Sequence, residues 1–489
     1  MAGSSDCRTL ATSTSSMIVP LLIDGRPVVT STTIDVTSPV TLKHLHAASA
    51  CSVDEANTAV DAAQRAFPAW SAAHPTSRRD IFLRVAEIFE RRTEEMWGYM
   101  YEETGAERPH FDFQYGSTIG VLKDIAGRLP ALNIGHLPHT CDDGTSAMIV
   151  KEPYGVVLGI APWNAPHILG VRAIAYALGV GNTVVFKGSE LCPRTFWGVG
   201  DAFREAGLPD GCLNILFHRT EDAAIVTTTL IAHPSVKKIS FTGSTAVGRI
   251  IAATAGKYLK PLLVELGGKA PALVLEDADV KLAAEQCCLG AFSNAGQICM
   301  STERIIVHRS VYEPFKAALA AAFDRLYGAT SPEPKLISAM AIVKSNRLVA
   351  DAVAKGGSVL HGKLDTPVSE ATRMRPVIVE GIVQQADLYH TESFGPTVSL
   401  FVVEDEEQAI ALANDTEYGL SSAVFTEDLR RALRVAKRIE SGAVHINSMS
   451  VHDEPSLPHG GVKQSGWGRF NAGAGLEEFL RTKTITWKD

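Results

Sequence analysis

From about Gly155 to Tyr258, short runs of β-branched and aliphatic residues alternate with longer stretches whose apolar residues recur at helical spacing. The short runs predict strands at Val156–Ile160, Thr183–Phe186, Leu213–Leu216 and Val236–Ser240. The longer stretches predict helices at Pro166–Leu178, Pro193–Glu205 and Thr245–Tyr258. Strands that alternate with helices form βαβ units, with helices on both faces of a parallel sheet. This region therefore predicts an α/β fold.

A second series of the same kind follows Glu265. Its predicted strands are Pro271–Leu275, Arg304–His308, Val398–Phe401 and Ala443–Ile446. Predicted helices between these strands include Val311–Leu326 and Leu429–Ile439. The first third of the chain is mostly helical in pattern, with long amphipathic stretches at Val53–Ala73 and Ser77–Glu103. The chain is therefore expected to hold two α/β units after a helical N-terminal third.

The last residues, Thr482–Trp487, alternate like a half-buried strand. No partner for this strand is evident within the chain, and a strand with a free edge readily pairs with another chain. We therefore predict that the C-terminus joins the sheet of a neighbouring subunit, in a homodimer or homotetramer.

Length and charge narrow the class of protein. The 489 residues exceed what one hydrophobic core usually holds, so two or three domains are expected. A net charge of −8 without a basic stripe argues against nucleic-acid binding. No apolar run approaches the roughly 20 residues that cross a bilayer, so no membrane association is expected. The composition is that of a soluble globular enzyme.

The eight cysteines are scattered and lack the paired spacing of metal ligands, so no metal site is predicted. Free thiols suit a reducing compartment, and a cytoplasmic protein is expected. Residues 1–19 are rich in Ser and Thr with little basic charge, which predicts a disordered tail and not a transit peptide.

Cys299 is the strongest candidate for a catalytic residue. It closes the segment Phe292-Ser-Asn-Ala-Gly-Gln-Ile-Cys299, just before a strand-like run. Upstream, Glu265 ends an apolar strand and is followed by Gly267 and Gly268. A thiol and a carboxylate in such small-residue surroundings are the minimal parts for covalent catalysis followed by hydrolysis. The alternatives are a core cysteine and a glutamate that pairs with a lysine.

Two segments are candidates for nucleotide binding. Phe241-Thr-Gly243-Ser244 follows a predicted strand and opens a helix, where backbone N–H groups and the helix N-terminus can hold a phosphate. Lys187-Gly-Ser-Glu190 follows the strand that ends at Phe186, where the lysine and the glutamate can grip two ribose hydroxyls. The alternative for this second segment is a solvated loop that caps the next helix.

Together these segments resemble the aldehyde dehydrogenase superfamily, from about Leu21 to Trp487. The matching motifs, in family order, are Pro162-Trp163-Asn164-Ala-Pro166, Lys187-Gly-Ser-Glu190, Phe241-Thr-Gly-Ser244, Glu265-Leu-Gly-Gly268, Gly296-Gln-Ile-Cys299, Glu392-Ser-Phe394-Gly-Pro396 and Gly460-Gly-Val-Lys463-Gln-Ser-Gly466. The resemblance implies an aldehyde dehydrogenase-like α/β fold with a Rossmann-like cofactor domain, an α/β catalytic domain and a small β oligomerisation arm. The implied boundaries are 20–133 and 152–264 for the NAD-binding domain, 265–466 for the catalytic domain, and 134–151 and 470–489 for the arm.

The resemblance also implies roles for individual residues. Cys299 would attack an aldehyde carbon to form a thiohemiacetal, and Asn164 would stabilise its oxyanion. Loss of hydride to the nicotinamide would leave a thioester, which water activated by Glu265 would hydrolyse to the carboxylic acid. The residues that would bind the cofactor are Trp163, Lys187, Glu190, Gly243, Ser244, Gly267, Glu392 and Phe394.

The Glu190 carboxylate would repel a 2′-phosphate and so favours NAD, while the nearby Lys187 leaves NADP possible. The segments Asn164–Arg172 and His445–Pro455 are similar to those of enzymes that act on benzaldehyde, vanillin and salicylaldehyde. In that subgroup an arginine at position 172 lies near the substrate entrance; the alternative is a helix arginine bound to solvent or to a carboxylate.

His459 stands where the family usually has a phenylalanine that lines the substrate tunnel. An imidazole makes the pocket more polar, so the hypothesis is a hydroxylated or otherwise polar aromatic aldehyde.

Three other functions remain as alternatives. A CoA-acylating semialdehyde dehydrogenase would pass the thioester to a thiol, and Glu265 argues against it. A cysteine hydrolase or acyltransferase would leave Lys187, Glu190 and Ser244 without a role. A catalytically silent relative is opposed by the intact set of Cys299, Glu265 and Asn164.

Overall fold

The computed structural model describes residues 18–132, 134–363 and 372–488. The strands are β1 Ile18–Val19, β2 Leu21–Ile23, β3 Arg26–Val28, β4 Thr33–Thr37, β5 His44–Ser49, β6 Gly135–His136, β7 Thr145–Pro153, β8 Val156–Ile160, β9 Thr183–Lys187, β10 Leu213–Leu216, β11 Val236–Thr242, β12 Leu262–Glu265, β13 Ala270–Val274, β14 Thr302–His308, β15 Ser358–His361, β16 Val377–Glu380, β17 Thr397–Val403, β18 Ser421–Phe425, β19 Ala443–Ile446, β20 Gly466–Trp467 and β21 Leu480–Lys488.

The helices are α1 Val53–Ala72, α2 Pro75–Arg91, α3 Thr93–Thr104, α4 Arg108–Arg128, α5 Pro166–Gly179, α6 Pro193–Glu205, α7 Ala223–Ala232, α8 Thr245–Lys257, α9 Val280–Phe292, α10 Tyr312–Tyr327, α11 Ala339–Ala354, α12 Asp387–His390, α13 Glu406–Asn414, α14 Leu429–Ala436 and α15 Ala472–Glu477. None of these described helices combines the length and the apolar character needed to cross a membrane.

The predicted α/β fold is confirmed by two large sheets with helices packed on them. The first sheet has the order β20-β12-β11-β8-β9-β10-β2-β3, and its five central strands run parallel. Every residue of β8 and every residue of α5 is buried, because helices cover this sheet and water reaches little of its centre. The parallel strands bring the carboxyl ends of β8, β9, β11 and β12 to one edge of the sheet.

The second sheet has the order β15-β16-β17-β14-β13-β18-β19, and only β15 runs antiparallel to its neighbour. The two sheets are joined directly by the chain between Glu265, the last residue of β12, and Ala270, the first residue of β13. β20 returns from the far end of the sequence to pair with β12, with Gly466 opposite Glu265. Glu265 therefore has β20 on one side and β11 on the other, where it lies opposite Thr242.

The C-terminal strand has a partner within its own chain, contrary to the prediction. β21 pairs antiparallel with β7 over nine positions, from Leu480 opposite Pro153 to Lys488 opposite Thr145. β7 was not predicted because its residues are half-buried and its polar positions follow no clear alternation. β21 remains the outer strand of the three-stranded sheet β21-β7-β6, with its residues exposed after Leu480.

Two further differences concern the N-terminal third. The long pattern at Ser77–Glu103 forms two helices, α2 and α3, because the chain leaves helical geometry at Arg92 (φ −96°, ψ 17°). The predicted tail over 1–19 lies outside the described residues except for Ile18–Val19, which form β1 and pair with β5. The tail can therefore extend no further than residue 17.

Candidate active site

Nine of the predicted site residues line one cavity of about 220 Å³, at the junction of the two sheets. These residues are Trp163, Asn164, Gly243, Ser244, Glu265, Gly267, Cys299, Glu392 and Phe394. Ligands of open α/β sheets bind at the carboxyl ends of the strands, and this cavity lies where β8, β11 and β12 end. The separate motifs therefore meet at one place in the fold.

The loop that carries Cys299 is held in an unusual backbone conformation. After α9 ends, Asn294, Ala295 and Gly296 all adopt positive φ values of 49°, 58° and 72°. A Cβ atom on Gly296 would lie 2.2 Å from the carbonyl oxygen of Gly395, so only glycine fits there. The buried side chain of Gln297 fastens the loop, because its Nε2 donates to the Lys335 carbonyl at 3.1 Å and its Oε1 accepts from the Ile337 N–H at 2.9 Å.

The Cys299 thiol faces the Glu265 carboxyl and interacts with it. Burial raises the pKa of the Cys299 thiol well above its usual range, and the neighbouring Glu265 raises it further. Burial also raises the pKa of Glu265 to about 7. The buried Oε1 of Glu265 has no hydrogen-bond partner among the described residues. A carboxyl with a pKa near neutrality and a free acceptor oxygen is suited to accept a proton.

The C-terminal glycine-rich motif supports Glu265. The Ser465 carbonyl accepts from the Leu266 N–H at 3.0 Å, and the Ser465 hydroxyl donates to the Gly267 carbonyl at 2.7 Å. A Cβ atom on Gly466 would lie 2.1 Å from the Val264 carbonyl oxygen, so the close pairing of β20 with β12 requires glycine. The motif therefore holds the turn that carries the carboxyl.

Asn164 is fixed by one hydrogen bond of its side-chain amide and two of its backbone carbonyl. Its Nδ2 donates to the Gln297 carbonyl oxygen at 3.1 Å, which ties its amide to the cysteine loop. Its backbone carbonyl oxygen accepts from His110 Nε2 at 2.9 Å and from Asn294 Nδ2 at 3.4 Å. An amide donor held beside a nucleophile is suited to stabilise negative charge that develops on a substrate oxygen.

Glu392 and Phe394 form another wall of the cavity. Glu392 Oε1 accepts from the Gly268 N–H at 2.8 Å, and a Cβ atom on Gly267 would lie 2.4 Å from Glu392 Oε2. The Phe394 ring meets the Trp163 ring edge-on, with centroids 5.9 Å apart. These contacts leave a carboxylate and two rings at the side of the cavity, which suits a ribose and a flat heterocycle.

Lys187 and Glu190 lie next to the cavity and not on its wall. Lys187 ends β9, beside the end of β8, and its Nζ is 3.4 Å from Glu190 Oε2. The two side chains are only 12% and 27% exposed, so this segment is not a solvated loop. Burial opposes ionisation of Glu190, but the Lys187 charge and the backbone hold its pKa below the usual range.

The α8 N-terminus also borders the cavity, through Gly243 and Ser244. Ser244 caps the helix, because its Oγ accepts from the Val247 N–H at 3.4 Å, and its own O–H stays available to donate. A capped helix start with glycine before it is a suitable environment for a phosphate. The residues around the cavity therefore match the parts of a nicotinamide dinucleotide.

Arg172 is buried and already has partners in the chain. Its Nη2 forms an ion pair with both carboxylate oxygens of Asp453, and its Nε donates to Asn471 Oδ1 at 3.1 Å. Its charge reaches the catalytic pair, since it lowers the pKa of both Glu265 and Cys299. In this structure Arg172 is therefore a helix arginine bound to a carboxylate, which is the alternative given above.

His459 is buried beside the Arg172–Asp453 pair, and its Nε2 has no hydrogen-bond partner among the described residues. Burial and the Arg172 charge lower the pKa of His459 to about 4, so the imidazole is neutral at physiological pH. A neutral imidazole with a free nitrogen can accept or donate one hydrogen bond, depending on its tautomer.

Sequence reasoning missed three charged residues near the site. Lys344 of α11 lines the cavity, Asp453 holds Arg172, and Glu303 packs behind the Glu392–Phe394 segment. A signal for Glu303 was present, because this carboxylate comes directly before the predicted strand Arg304–His308. Within the described residues, no group of three or more His, Cys, Asp or Glu side chains is arranged to hold a metal ion.

The chain is similar to known proteins over most of its length. The aldehyde dehydrogenase family model matches residues 28–485. Vanillin dehydrogenase of Pseudomonas fluorescens is 43% identical over 479 residues, which cover 96% of this chain and 97% of that protein. Salicylaldehyde dehydrogenase of Pseudomonas putida is 38% identical over 443 residues, covering 89% and 90%.

The same family appears among solved structures. The crystal structure of a salicylaldehyde dehydrogenase from Pseudomonas putida G7, complexed with salicylaldehyde, matches with a TM-score of 0.93 and 36% identity, over 97% of this chain and 98% of that one. The family model and the relatives span most of the chain. The chain belongs to the aldehyde dehydrogenase family.

Proposed function

We propose that the protein oxidises an aromatic aldehyde to its carboxylic acid with a nicotinamide dinucleotide as hydride acceptor. The observation that carries this proposal is the buried contact between Cys299 and Glu265 in the cavity that Asn164 also lines. The Glu265 carboxyl argues against the CoA-acylating and catalytically silent alternatives. The residues suited to bind a dinucleotide argue against a hydrolase or acyltransferase without a cofactor.

Covalent attack begins at Cys299. The buried thiol is protonated at rest, and Glu265 can accept its proton because the pKa of that carboxyl is about 7. The positive charge of Arg172 favours the thiolate. The thiolate then forms a bond to the aldehyde carbon, and the Asn164 amide donates to the oxyanion of the thiohemiacetal.

When bound, NAD⁺ or NADP⁺ supplies the acceptor for the hydride that leaves the thiohemiacetal carbon. Gly243, Ser244 and the α8 N-terminus would hold its phosphates, and Glu392 and Phe394 its nicotinamide end. Glu265 first releases the proton of Cys299 to solvent, and its carboxylate then takes a proton from water, whose oxygen attacks the thioester carbon and releases the Cys299 thiolate. The unpaired Oε1 of Glu265 supports this second step, since a buried carboxylate oxygen needs a donor.

NAD is the proposed cofactor, with NADP possible. Glu190 is ionised and close to Lys187, so a 2′-phosphate would meet a carboxylate as well as an ammonium group. Ribose hydroxyls can donate to Glu190 and accept from Lys187 at the same time. A 2′-phosphate can only accept from Lys187, so the pair favours NAD, which lacks this phosphate.

The aromatic substrate class is supported by the relatives, whose names are vanillin and salicylaldehyde dehydrogenases. Arg172, Asp453 and His459 add a polar group of side chains close to the catalytic pair. His459 does not line the cavity, so we propose that its unpaired nitrogen reaches a hydroxyl on the ring of the substrate through a side-chain rearrangement on binding. We therefore propose a ring that carries a hydroxyl or another polar substituent.

We also propose that the enzyme is a cytoplasmic homodimer or homotetramer. β21 pairs with β7 on one side only and is an edge strand of its sheet. An exposed nine-residue edge would promote aggregation in a monomer, so a second subunit is the expected partner for this face.

The proposal is tested by following nicotinamide reduction with NAD⁺ or NADP⁺ and a panel of aldehydes. The panel contains benzaldehyde, hydroxylated benzaldehydes and a medium-chain aliphatic aldehyde. We expect the highest kcat/KM with hydroxylated benzaldehydes and NAD⁺. We expect His459→Phe to reduce the preference for the hydroxylated ring over benzaldehyde, because the free nitrogen is lost.

Faster turnover of the aliphatic aldehyde would contradict the substrate class and leave the reaction in place. No reduction of either cofactor with any aldehyde would contradict the proposed function. Equal kcat/KM with both cofactors would contradict the role given to Glu190.

Asn164→Ala is expected to lower kcat by about 10²–10³-fold, because one oxyanion donor is lost, with a smaller effect on KM for the aldehyde. Steady-state kinetics measures both parameters. Asn414→Ala is the matched control, since Asn414 also holds backbone groups through its amide but lies on α13. An Asn164→Ala enzyme that folds and keeps its wild-type kcat would exclude the oxyanion role.

A further inference from the structure

A fully buried ion pair lies behind the active site and has no part in the mechanism above. Lys269, only 2% exposed, follows directly after Gly268, and its Nζ pairs with Glu303 Oε2. Glu303, only 4% exposed, lies in β14, four residues after Cys299. Burying two opposite charges is unfavourable unless the remaining polar atoms are also satisfied, so such a pair calls for a specific reason.

The remaining polar atoms of the pair bind one segment, Thr391–Phe394. Glu303 Oε1 accepts from the Ser393 N–H at 2.8 Å, from the Ser393 hydroxyl at 3.2 Å and from the Phe394 N–H at 3.3 Å. Lys269 Nζ donates to the Thr391 carbonyl oxygen at 2.8 Å. The carboxylate therefore holds the N–H groups on one side of Glu392, and the ammonium group holds the carbonyl on the other.

The segment needs this support because its backbone is strained. Phe394 has a φ of 49°, which is unfavourable for an aromatic residue and persists only where the surroundings enforce it. The same conformation brings the Phe394 ring to the Trp163 ring and lets Glu392 reach the Gly268 N–H. Both wall residues therefore depend on the position of this backbone.

We propose that Lys269 and Glu303 act as a positioning pair, which holds Glu392 and Phe394 in the geometry that binds the nicotinamide end of the cofactor. The pair touches neither the reacting atoms nor the cavity, so it acts through the segment it holds. This inference rests on the proposed function for the identity of the ligand. It assigns a role to Lys269 and Glu303 beyond the stability of the fold.

The pair also affects the charge of Glu392. Burial raises the pKa of Glu392 to about 7, the Glu303 charge adds to this, and the Gly268 N–H and the two lysines oppose it. The titratable groups that interact with Glu392 are Glu303, Lys269, Lys344, Cys299 and Tyr418. Removing the Glu303 charge is expected to lower the pKa of Glu392, and removing the Lys269 charge to raise it.

The test measures NAD⁺ affinity by isothermal titration calorimetry, without aldehyde, from pH 5.5 to 9. Glu303→Gln and Lys269→Met are each expected to weaken binding at pH 8 by about tenfold, because the segment loses its anchor. The midpoint of the pH dependence is expected to fall in Glu303→Gln and to rise in Lys269→Met, by about 1 pH unit each. The opposite shifts report the charges of the pair at Glu392, and the loss of affinity reports the position of the segment.

Two further variants separate the effects. Glu303→Asp keeps the charge but shortens the side chain, so we expect weaker binding with an unchanged midpoint, even if Glu303→Gln fails to fold. Glu406→Gln is the matched control, because Glu406 on α13 is a partly buried carboxylate that pairs with Arg431 and does not line the cavity. Its NAD⁺ affinity and midpoint are expected to equal those of the wild type.

Wild-type affinity and midpoint in the folded Glu303 and Lys269 variants would overturn the positioning role alone. A wild-type protein that binds NAD⁺ but oxidises no aldehyde would overturn the proposed function alone, since the binding data still test the pair. A wild-type protein that binds neither NAD⁺ nor NADP⁺ would overturn both.

Discussion

Cys299→Ala is expected to abolish aldehyde oxidation, with a loss in kcat on the order of 10⁴-fold or more, because the covalent path is closed. Without the thiol no thiohemiacetal forms, and the hydride has no activated carbon to leave. NADH absorbance measures the loss, and mass spectrometry of a reaction stopped in the steady state should detect an acyl adduct in the wild type only. The fold should survive, because the Cys299 side chain lines the cavity and its truncation leaves no closed void in the core.

Cys287→Ala is the matched control for this result. Cys287 is a fully buried cysteine on α9, in the helix that leads into the cysteine loop. Its removal is expected to lower the melting temperature slightly and to leave kcat near the wild-type value. More than a tenth of wild-type activity in a pure, folded Cys299→Ala enzyme would rule out Cys299 as the nucleophile.

Glu265→Gln is expected to lower steady-state kcat by about 10²–10⁴-fold, because the general base for thioester hydrolysis is lost. Glu265 also takes the Cys299 proton, but a thiol loses its proton to solvent far more readily than water does. The first turnover should therefore be less affected than later ones, and stopped-flow traces should show a burst of NADH followed by slow turnover. Hydroxylamine attacks a thioester without a general base and should partly restore turnover. Glu406→Gln, an ion-paired carboxylate on α13, should show wild-type kinetics.

The pH dependence gives a second signature of Glu265. The base must be ionised to act, and the pKa of this carboxyl is raised to about 7. Wild-type activity is therefore expected to rise as the pH increases through about 7, and this limb should be absent from the residual activity of Glu265→Gln. The same limb in both enzymes, or a wild-type steady-state rate in the variant, would assign the base to another residue.

Local pattern was sufficient for most of the secondary structure. β8, α6 and β10 have the bounds that the sequence predicts, because their apolar runs are short, regular and bounded by glycine or proline. The split at Arg92 was not visible, since helical periodicity continues across it and only the backbone changes. β7 was not predicted for the opposite reason, because its half-buried residues carry no regular pattern.

The motifs indicated which residues form the site, and a shared sheet edge explains why they meet. Glu265 ends β12 and Asn164 follows β8, two strands of the same parallel sheet, so their proximity follows from βαβ topology. Two pairings could not be inferred from the sequence or from this topology. The partner of β21 is β7, more than 300 residues earlier, and the partner of Arg172 is Asp453, 281 residues away.

By itself, the sequence determined the α/β class, the order of the strands along the chain and the residues able to supply a nucleophile, a base and an oxyanion donor. These depend on side-chain type and local spacing, which a sequence records directly. The tertiary structure alone decided the chemical state of those groups and the support behind them. The pKa of Glu265 rises to about 7 through burial, and Glu303 reaches Phe394 across 91 positions of the chain. Burial and charge act through space, so the chemical state of these groups depends on residues that lie far apart in the sequence.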